Sequence, residues 1–124
     1  MRGHRVVLVV EDDRDTNETI TDLLTNEGYS CIAAFDGERG VALLEQQRPD
    51  LVVLDLLLPD ISGVEVLSRQ RRISGVAQVP VIVTTAMPSP PKFGVPVVAV
   101  LRKPFSLDDL LSLVRRFAPL DKAN

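Results

Sequence analysis

Tryptophan is absent from this sequence, and cysteine, histidine and tyrosine occur once each. A single cysteine, Cys31, excludes an internal disulfide. Its apolar neighbours Ile32, Ala33 and Ala34 predict a small buried side chain. His4 stands alone near the start and reads as solvated, so no imidazole or thiolate cluster of the zinc type can form. Long apolar runs are also missing, and none approaches the roughly 20 residues needed to span a bilayer. Met1 to His4 lead straight into a strand-like run, so no secretory leader is expected. Cations are fewer than anions, 14 Lys and Arg against 17 Asp and Glu, giving a net charge of −3. That balance argues against nucleic-acid binding through a broad basic surface. The small cluster Arg69, Arg71 and Arg72 does not reverse it and reads as a solvated helix face. The expectation is a soluble cytoplasmic protein with no membrane contact.

What is present is a core. At 124 residues and 45% hydrophobic content the chain reads as one domain, residues 1–124, with no linker, repeat or second domain. Leu51 to Leu54 form an apolar run that meets one charge, Asp55, and is closed by Pro59. A run this short and this rich in Val and Leu predicts a strand buried on both faces. Ending that strand at Asp55 sets the carboxylate on the carboxyl rim of the sheet, where open α/β folds place ligands. A turn-capping role before Pro59 is the simpler alternative for Asp55.

The remaining elements alternate. Arg5–Val10 predicts a first strand that ends in Glu11, Asp12 and Asp13. Asp15 is placed to cap the next helix, with Glu18 three residues on, and Ile20, Leu23 and Leu24 supply its apolar stripe. Gly28 ends that helix. Tyr29–Ala34 predicts the second strand and Gly37–Gln47 the second helix, with Val41 and Leu44 inward and Arg48-Pro49 stopping it. After the Asp55 strand, a third helix follows Gly63 and carries Val64 and Leu67 inward, with Gln70 or Arg71 toward its far end. Val79–Thr84 and Pro96–Leu101 predict strands four and five. Ser106 caps the last helix, with Asp109 at its third position and Leu107, Leu110, Leu111 and Val114 on its buried stripe. Strand–helix alternation with right-handed crossovers demands a parallel sheet covered on both faces.

In such a sheet the strand ends share one rim. Here that rim collects Glu11 and Asp12, Asp55, the pair Thr84 and Thr85, and Lys103. Each has an ordinary explanation alone: a backbone-bonding pair for the threonines, a surface charge for the lysine. Their convergence carries more weight than any one of them. Three carboxylates repel unless a divalent cation or an ammonium group holds them. Hard oxygen donors of this kind suit Mg²⁺ better than zinc. Beside such a cation Asp55 reads as a nucleophile toward a phosphoryl donor, with a threonine hydroxyl and a lysine ammonium to hold the phosphoryl oxygens.

Four segments then resemble one family. Val9-Val10-Glu11-Asp12, Leu54-Asp55 with Leu58-Pro59 and Gly63, Pro80 through Ala86, and Lys103-Pro104-Phe105 are similar to the receiver domains of two-component response regulators. The resemblance covers essentially the whole chain. It implies a flavodoxin-like, doubly wound, five-stranded parallel sheet of order 2-1-3-4-5. It implies Asp55 as the phosphoacceptor. Glu11 and Asp12 become the acid pair that organises Mg²⁺, with the backbone carbonyl of Leu57 as a further ligand. Thr85 takes the switch-threonine position and Lys103 the phosphate-binding position, with a cis Lys103–Pro104 bond. Thr84 falls where the family has an apolar residue, and Asp13 becomes a turn or helix-cap residue. The implied partners are a histidine kinase or phosphotransfer protein and a downstream protein target. Self-phosphorylation and dephosphorylation at Asp55 replace turnover of an external substrate, and the chain is expected to stand alone without an output domain.

Two departures from the pattern stand out. The segment from Ala86 to Val100 is short and carries Pro88, Pro90, Pro91 and Pro96, so the helix between strands four and five is expected to be short, distorted or absent. The switch position three before Lys103, aromatic in the family, is Val100. Both fall on the face the family uses for dimers and targets, which leaves the oligomeric state open. They favour the rival reading, a pseudo-receiver that serves as a phosphorylation-independent interaction module. The full set of rim residues favours the phosphoacceptor. An aspartate-nucleophile phosphatase would place an acid two residues after Asp55, where Leu57 stands. A flavin carrier would need a phosphate-cradling loop where Glu11, Asp12 and Asp13 repel phosphate.

Overall fold

A computed structural model describes residues 5–120, so His4 lies outside the described residues. Strands β1 (Val6–Val10), β2 (Ser30–Ala34), β3 (Leu51–Asp55), β4 (Val81–Thr85) and β5 (Val97–Arg102) form one sheet of order β2-β1-β3-β4-β5. All neighbours pair in parallel. Helices α1 (Arg14–Asn26), α2 (Gly37–Gln47), α3 (Gly63–Gln70) and α4 (Leu107–Phe117) flank it. This is the flavodoxin-like, doubly wound topology expected from the alternation and the resemblance.

Strand alternation divides the core in two. Leu8, Val10, Val52, Leu54, Val81 and Val83 face α2 and α3, where they meet Val41, Leu44, Val66 and Leu67. Val7, Val9, Leu51, Val53 and Ile82 face α1 and α4, where they meet Ile20, Leu24, Leu110 and Val114. β3 and β4 are buried along their whole length, which fits strands that lie between two helical layers.

Several local expectations need correction. Asp13, which the resemblance made a turn or helix-cap residue, caps α1 in place of Asp15 and accepts from the Thr16 backbone N–H. The helix starts at Arg14, so Asp15 falls inside its first turn. Val64 is 51% exposed, because the buried stripe of α3 runs through Gly63, Val66, Leu67 and Gln70. Leu107 is 38% exposed in the first turn of α4. Cys31 is half-buried rather than enclosed. β4 starts at Val81 and β5 ends at Arg102, each a residue or two later than periodicity indicated.

The expectation for the segment between β4 and β5 holds in its strongest form, since no helix lies between them. Four prolines in eleven residues remove helical N–H donors and force the residues before them away from helical angles. The segment is held instead by Met87 and Phe93, which pack on the core, and by Arg71 Nε, which donates to the Val95 carbonyl at 3.3 Å.

Gly63 sets how closely α3 approaches the end of β3. A Cβ there would lie 2.7 Å from both the Asp55 carbonyl oxygen and the Leu56 Cα. Backbone cannot give way as a flexible side chain can. Gly63→Ala is expected to destabilise the fold by about 1–3 kcal/mol in urea unfolding. Gly94→Ala, with nothing within 4 Å, should stay within about 0.5 kcal/mol of the parent.

Candidate functional site

The strand order reverses between β1 and β3, and the carboxyl ends of strands at such a point are where open α/β sheets place ligands. Glu11 and Asp12 follow β1 directly, and Asp55 is the last residue of β3. One carboxylate oxygen from each of the three can be chosen so that all lie within 4.8 Å of one another. Glu11 and Asp55 are buried, while Asp12 is exposed.

Lys103 reaches into this cluster from the end of β5. Its Nζ lies 2.7 Å from Glu11 Oε1 and 2.9 Å from Asp55 Oδ2. Burial works to lower its pKa, but the bonds to Glu11 and Asp55 prevail and hold it above the ordinary lysine range. Burial raises the pKa of Glu11, against the opposing pull of Lys103. Three acids face one ammonium, so the cluster retains negative charge. Its donors are hard oxygens at a half-open rim, a set that fits a hard divalent cation better than a soft one.

β4 brings the threonines to the same rim. Thr84 pairs in register with Asp55, and both threonines are buried. The Thr85 hydroxyl accepts from the Met87 N–H at 3.0 Å, and the Thr85 carbonyl accepts from the Lys103 N–H at 2.7 Å. The peptide bond that follows, Lys103–Pro104, is cis. Leu57 is 61% exposed, and its N–H donates to Asp55 Oδ1 at 3.0 Å. Val100 lies on β5, paired with Val83, away from this cluster. A cleft of about 600 Å³ opens beside Lys103, between Thr16 and Ile20 of α1 and the Pro104–Leu107 segment.

Two positioning residues were not recognised in the sequence. Asn17 is fully buried on α1, and its Nδ2 lies within hydrogen-bond distance of the Val9, Glu11 and Ala34 carbonyls. It braces the turn that carries Glu11 and Asp12. The available signal was a polar residue on the stripe shared with Ile20 and Leu24. Asp60 accepts from the Gly37 and Glu38 N–H groups, at 2.8 Å each. It ties the loop after Asp55 to the start of α2.

A family model described as the response regulator receiver domain matches residues 7–115. Response regulator MprA of Mycolicibacterium vanbaalenii is 40% identical over 94% of the chain, and the match covers 53% of that protein. The DNA-binding dual master transcriptional regulator RpaA of Synechocystis is 34% identical over 88% of the chain and 47% of its own length. The chain thus spans about half the length of these relatives. The solved structure of chemotaxis protein CheY4 from Vibrio cholerae superposes with a TM-score of 0.85 at 27% identity, covering 93% of this chain and 99% of that one.

The Asp60 contact has a pH signature. A slight desolvation pushes its pKa up, but the bonds from Glu38 and Gly37 outweigh this and hold it below the ordinary value of 3.8. A lowered folded pKa means stability that is present above 3.8 and lost as pH falls through the folded value. The stability gap between the parent and Asp60→Ala should therefore be full near neutral pH and close in acid. Urea unfolding across pH measures it, and a gap that does not change with pH would refute it.

Proposed function

This chain belongs to the response regulator receiver domain family, and we propose that it is a phosphoacceptor whose Asp55 takes a phosphoryl group from a histidine kinase or phosphotransfer protein. The observation that carries this reading is the bridge from Lys103 Nζ to Asp55 Oδ2 and Glu11 Oε1, beside an acid cluster that still carries excess negative charge. In the proposed step an Asp55 carboxylate oxygen attacks phosphorus. The bond from phosphorus to the donor imidazole nitrogen breaks, and the imidazole leaves with its electron pair. Lys103 then exchanges its bond to the Asp55 carboxylate for one to a phosphoryl oxygen. The Thr85 hydroxyl, one residue beyond the register partner of Asp55, turns to a second phosphoryl oxygen. Glu11, Asp12, Asp55 and the Leu57 carbonyl are the proposed ligands of Mg²⁺, which supplies neutralising charge when bound. The donor approaches by the cleft beside Lys103.

In this reading the chain modifies itself and turns over no external substrate. Phosphorylation shifts its population toward a form with altered affinity for a protein target. The domain itself makes no contact with nucleic acid and works in the cytoplasm. Among the described residues no helix is long and apolar enough to cross a membrane. The pseudo-receiver is the second reading, favoured by the missing helix after β4 and by Val100.

Incubation with acetyl phosphate, followed by intact-protein mass measurement, separates the two. A single phosphoryl adduct that requires Mg²⁺ and is absent in Asp55→Ala is the expected result. A folded protein with no adduct would establish the pseudo-receiver.

The lifetime of the adduct follows from the residues beside it. Leu57 is apolar and stands two residues beyond Asp55, and Met87, equally apolar, stands two beyond Thr85. Neither side chain orients an attacking water. Spontaneous dephosphorylation should be slow and should accelerate in Leu57→Asn, followed as loss of the adduct mass with time. An unchanged rate would refute the shielding role.

A further inference from the structure

Asn17 is an amide where the stripe of α1 calls for an apolar side chain. It shares that stripe with Ile20 and Leu24, and all three are buried. Its Nδ2 meets three carbonyl oxygens, those of Val9 at 3.2 Å, Glu11 at 3.0 Å and Ala34 at 3.1 Å. A carboxamide nitrogen carries two N–H donors, so these acceptors fully occupy it. The flipped amide would set an oxygen against three oxygens, so the contacts fix its orientation. Its Oδ1 is buried and meets no donor among the described residues. A buried oxygen without a donor is destabilising, and leucine here would continue the stripe without one. Stability of the helix face alone does not account for an amide at this place.

What Asn17 holds is the backbone on either side of Asp12. The Glu11 carbonyl, bonded by Asn17 Nδ2, belongs to the peptide plane that enters Asp12. The Asp13 carbonyl, one residue beyond Asp12, accepts from the Asn17 backbone N–H at 2.9 Å. The Ala34 carbonyl accepts from both Asn17 Nδ2 and the Glu11 N–H, which ties the same turn to the end of β2. The Glu11 carboxylate has a further hold of its own, through Lys103 and the Asp13 N–H. Asp12 is exposed, so its carboxylate is placed by the backbone that carries it. One side chain thus sets where the third acid of the cluster stands.

We propose that Asn17 is a positioning residue that sets the affinity with which Glu11, Asp12 and Asp55 take Mg²⁺. This rests on the reading of those acids as Mg²⁺ ligands. Asn17 supplies no ligand itself and acts through the Glu11–Asp12 peptide and the end of β2. Mg²⁺ demands near-octahedral geometry, so a turn free to rotate that peptide offers the Asp12 oxygen in the right place for only part of the time. Gln70 provides the internal comparison. It too is a fully buried amide on a helix stripe, its Nε2 meets the Val76 and Val79 carbonyls at 3.1 and 3.0 Å, and its Oε1 has no donor among the described residues. Those carbonyls precede β4, at the amino end of the sheet and away from the acid cluster.

The test measures Mg²⁺ affinity of the full chain by titration calorimetry, with no phosphoryl donor present, in the parent, Asn17→Leu, Asn17→Ser and Gln70→Leu. Asn17→Leu is expected to weaken Mg²⁺ binding by roughly tenfold or more. Asn17→Ser, which keeps one donor on a shorter side chain, should fall between it and the parent. Gln70→Leu should bind Mg²⁺ like the parent, whatever it does to the urea midpoint. Before Mg²⁺ is added, the amide resonances of Glu11, Asp12 and Asp13 should move in Asn17→Leu and stay in place in Gln70→Leu. With acetyl phosphate, adduct formation in Asn17→Leu should be slow at low Mg²⁺ and recover at saturating Mg²⁺. Parental affinity in a folded Asn17→Leu, or in Asn17→Ser where the leucine variant does not fold, overturns the proposal. So does an equal loss in Gln70→Leu, a rate defect that saturating Mg²⁺ does not restore, or a parent that binds no Mg²⁺. A parent that binds Mg²⁺ and forms no adduct refutes the phosphoacceptor reading alone, since the affinities are read without a donor.

Discussion

The ammonium group of Lys103 makes the rim of this sheet possible. Two buried carboxylates, Glu11 and Asp55, end adjacent strands and share that one cation at 2.7 and 2.9 Å. Left unpaired at this depth, such charges would cost several kcal/mol. The lysine is brought there by the chain itself, since its backbone N–H is bonded to the Thr85 carbonyl at the end of β4. Three strand ends are thereby fixed relative to one another before any ligand arrives. The price is a site balanced only in part, since Asp12 adds a third acid without a second cation among the described residues.

Around that balance, the fold divides its acids into held and free groups. Glu11 is fixed on all sides. Its N–H donates to the Ala34 carbonyl, its carbonyl accepts from Asn17, and its carboxylate meets Asp13 N–H and Lys103. Asp55 is held between Lys103 and the Leu57 N–H. Asp12 alone stands in solvent. A cluster of this design presents two preorganised oxygens and one that adjusts, which suits a cation that keeps part of its water. The loop beyond Asp55 is restrained as well, through Asp60 on the start of α2 and through the close approach at Gly63.

Much of this was legible in the sequence because the signals were local or periodic. The apolar runs of β1, β3 and β4, each ending in a polar residue, marked the rim directly. Gly37–Gln47 was bounded by a glycine and by Arg48-Pro49, and its limits agree with the helix found. What was missed depends on three-dimensional partners. Spacing alone pointed to Asp15 as the cap of α1, whereas the family pattern marked Asp13 as a turn or helix-cap residue, and Asp13 takes that role with extended backbone angles. Val64 and Leu107 are apolar residues in first turns, where a stripe of 3.6-residue period is not yet determined. Asn17 and Gln70 lie on buried stripes as polar residues, and their purpose is visible only when the carbonyls they meet are in place.

The proline-rich segment after β4 was legible as the loss of a helix, but not in its consequence. Removing one covering helix exposes the outer strand on one face only, because α1 and α4 still cover the other. The strand partly compensates by drawing Phe93 and Met87 onto the core, yet Val98 and Val100 remain outside. An exposed β-branched stripe on an edge strand invites association.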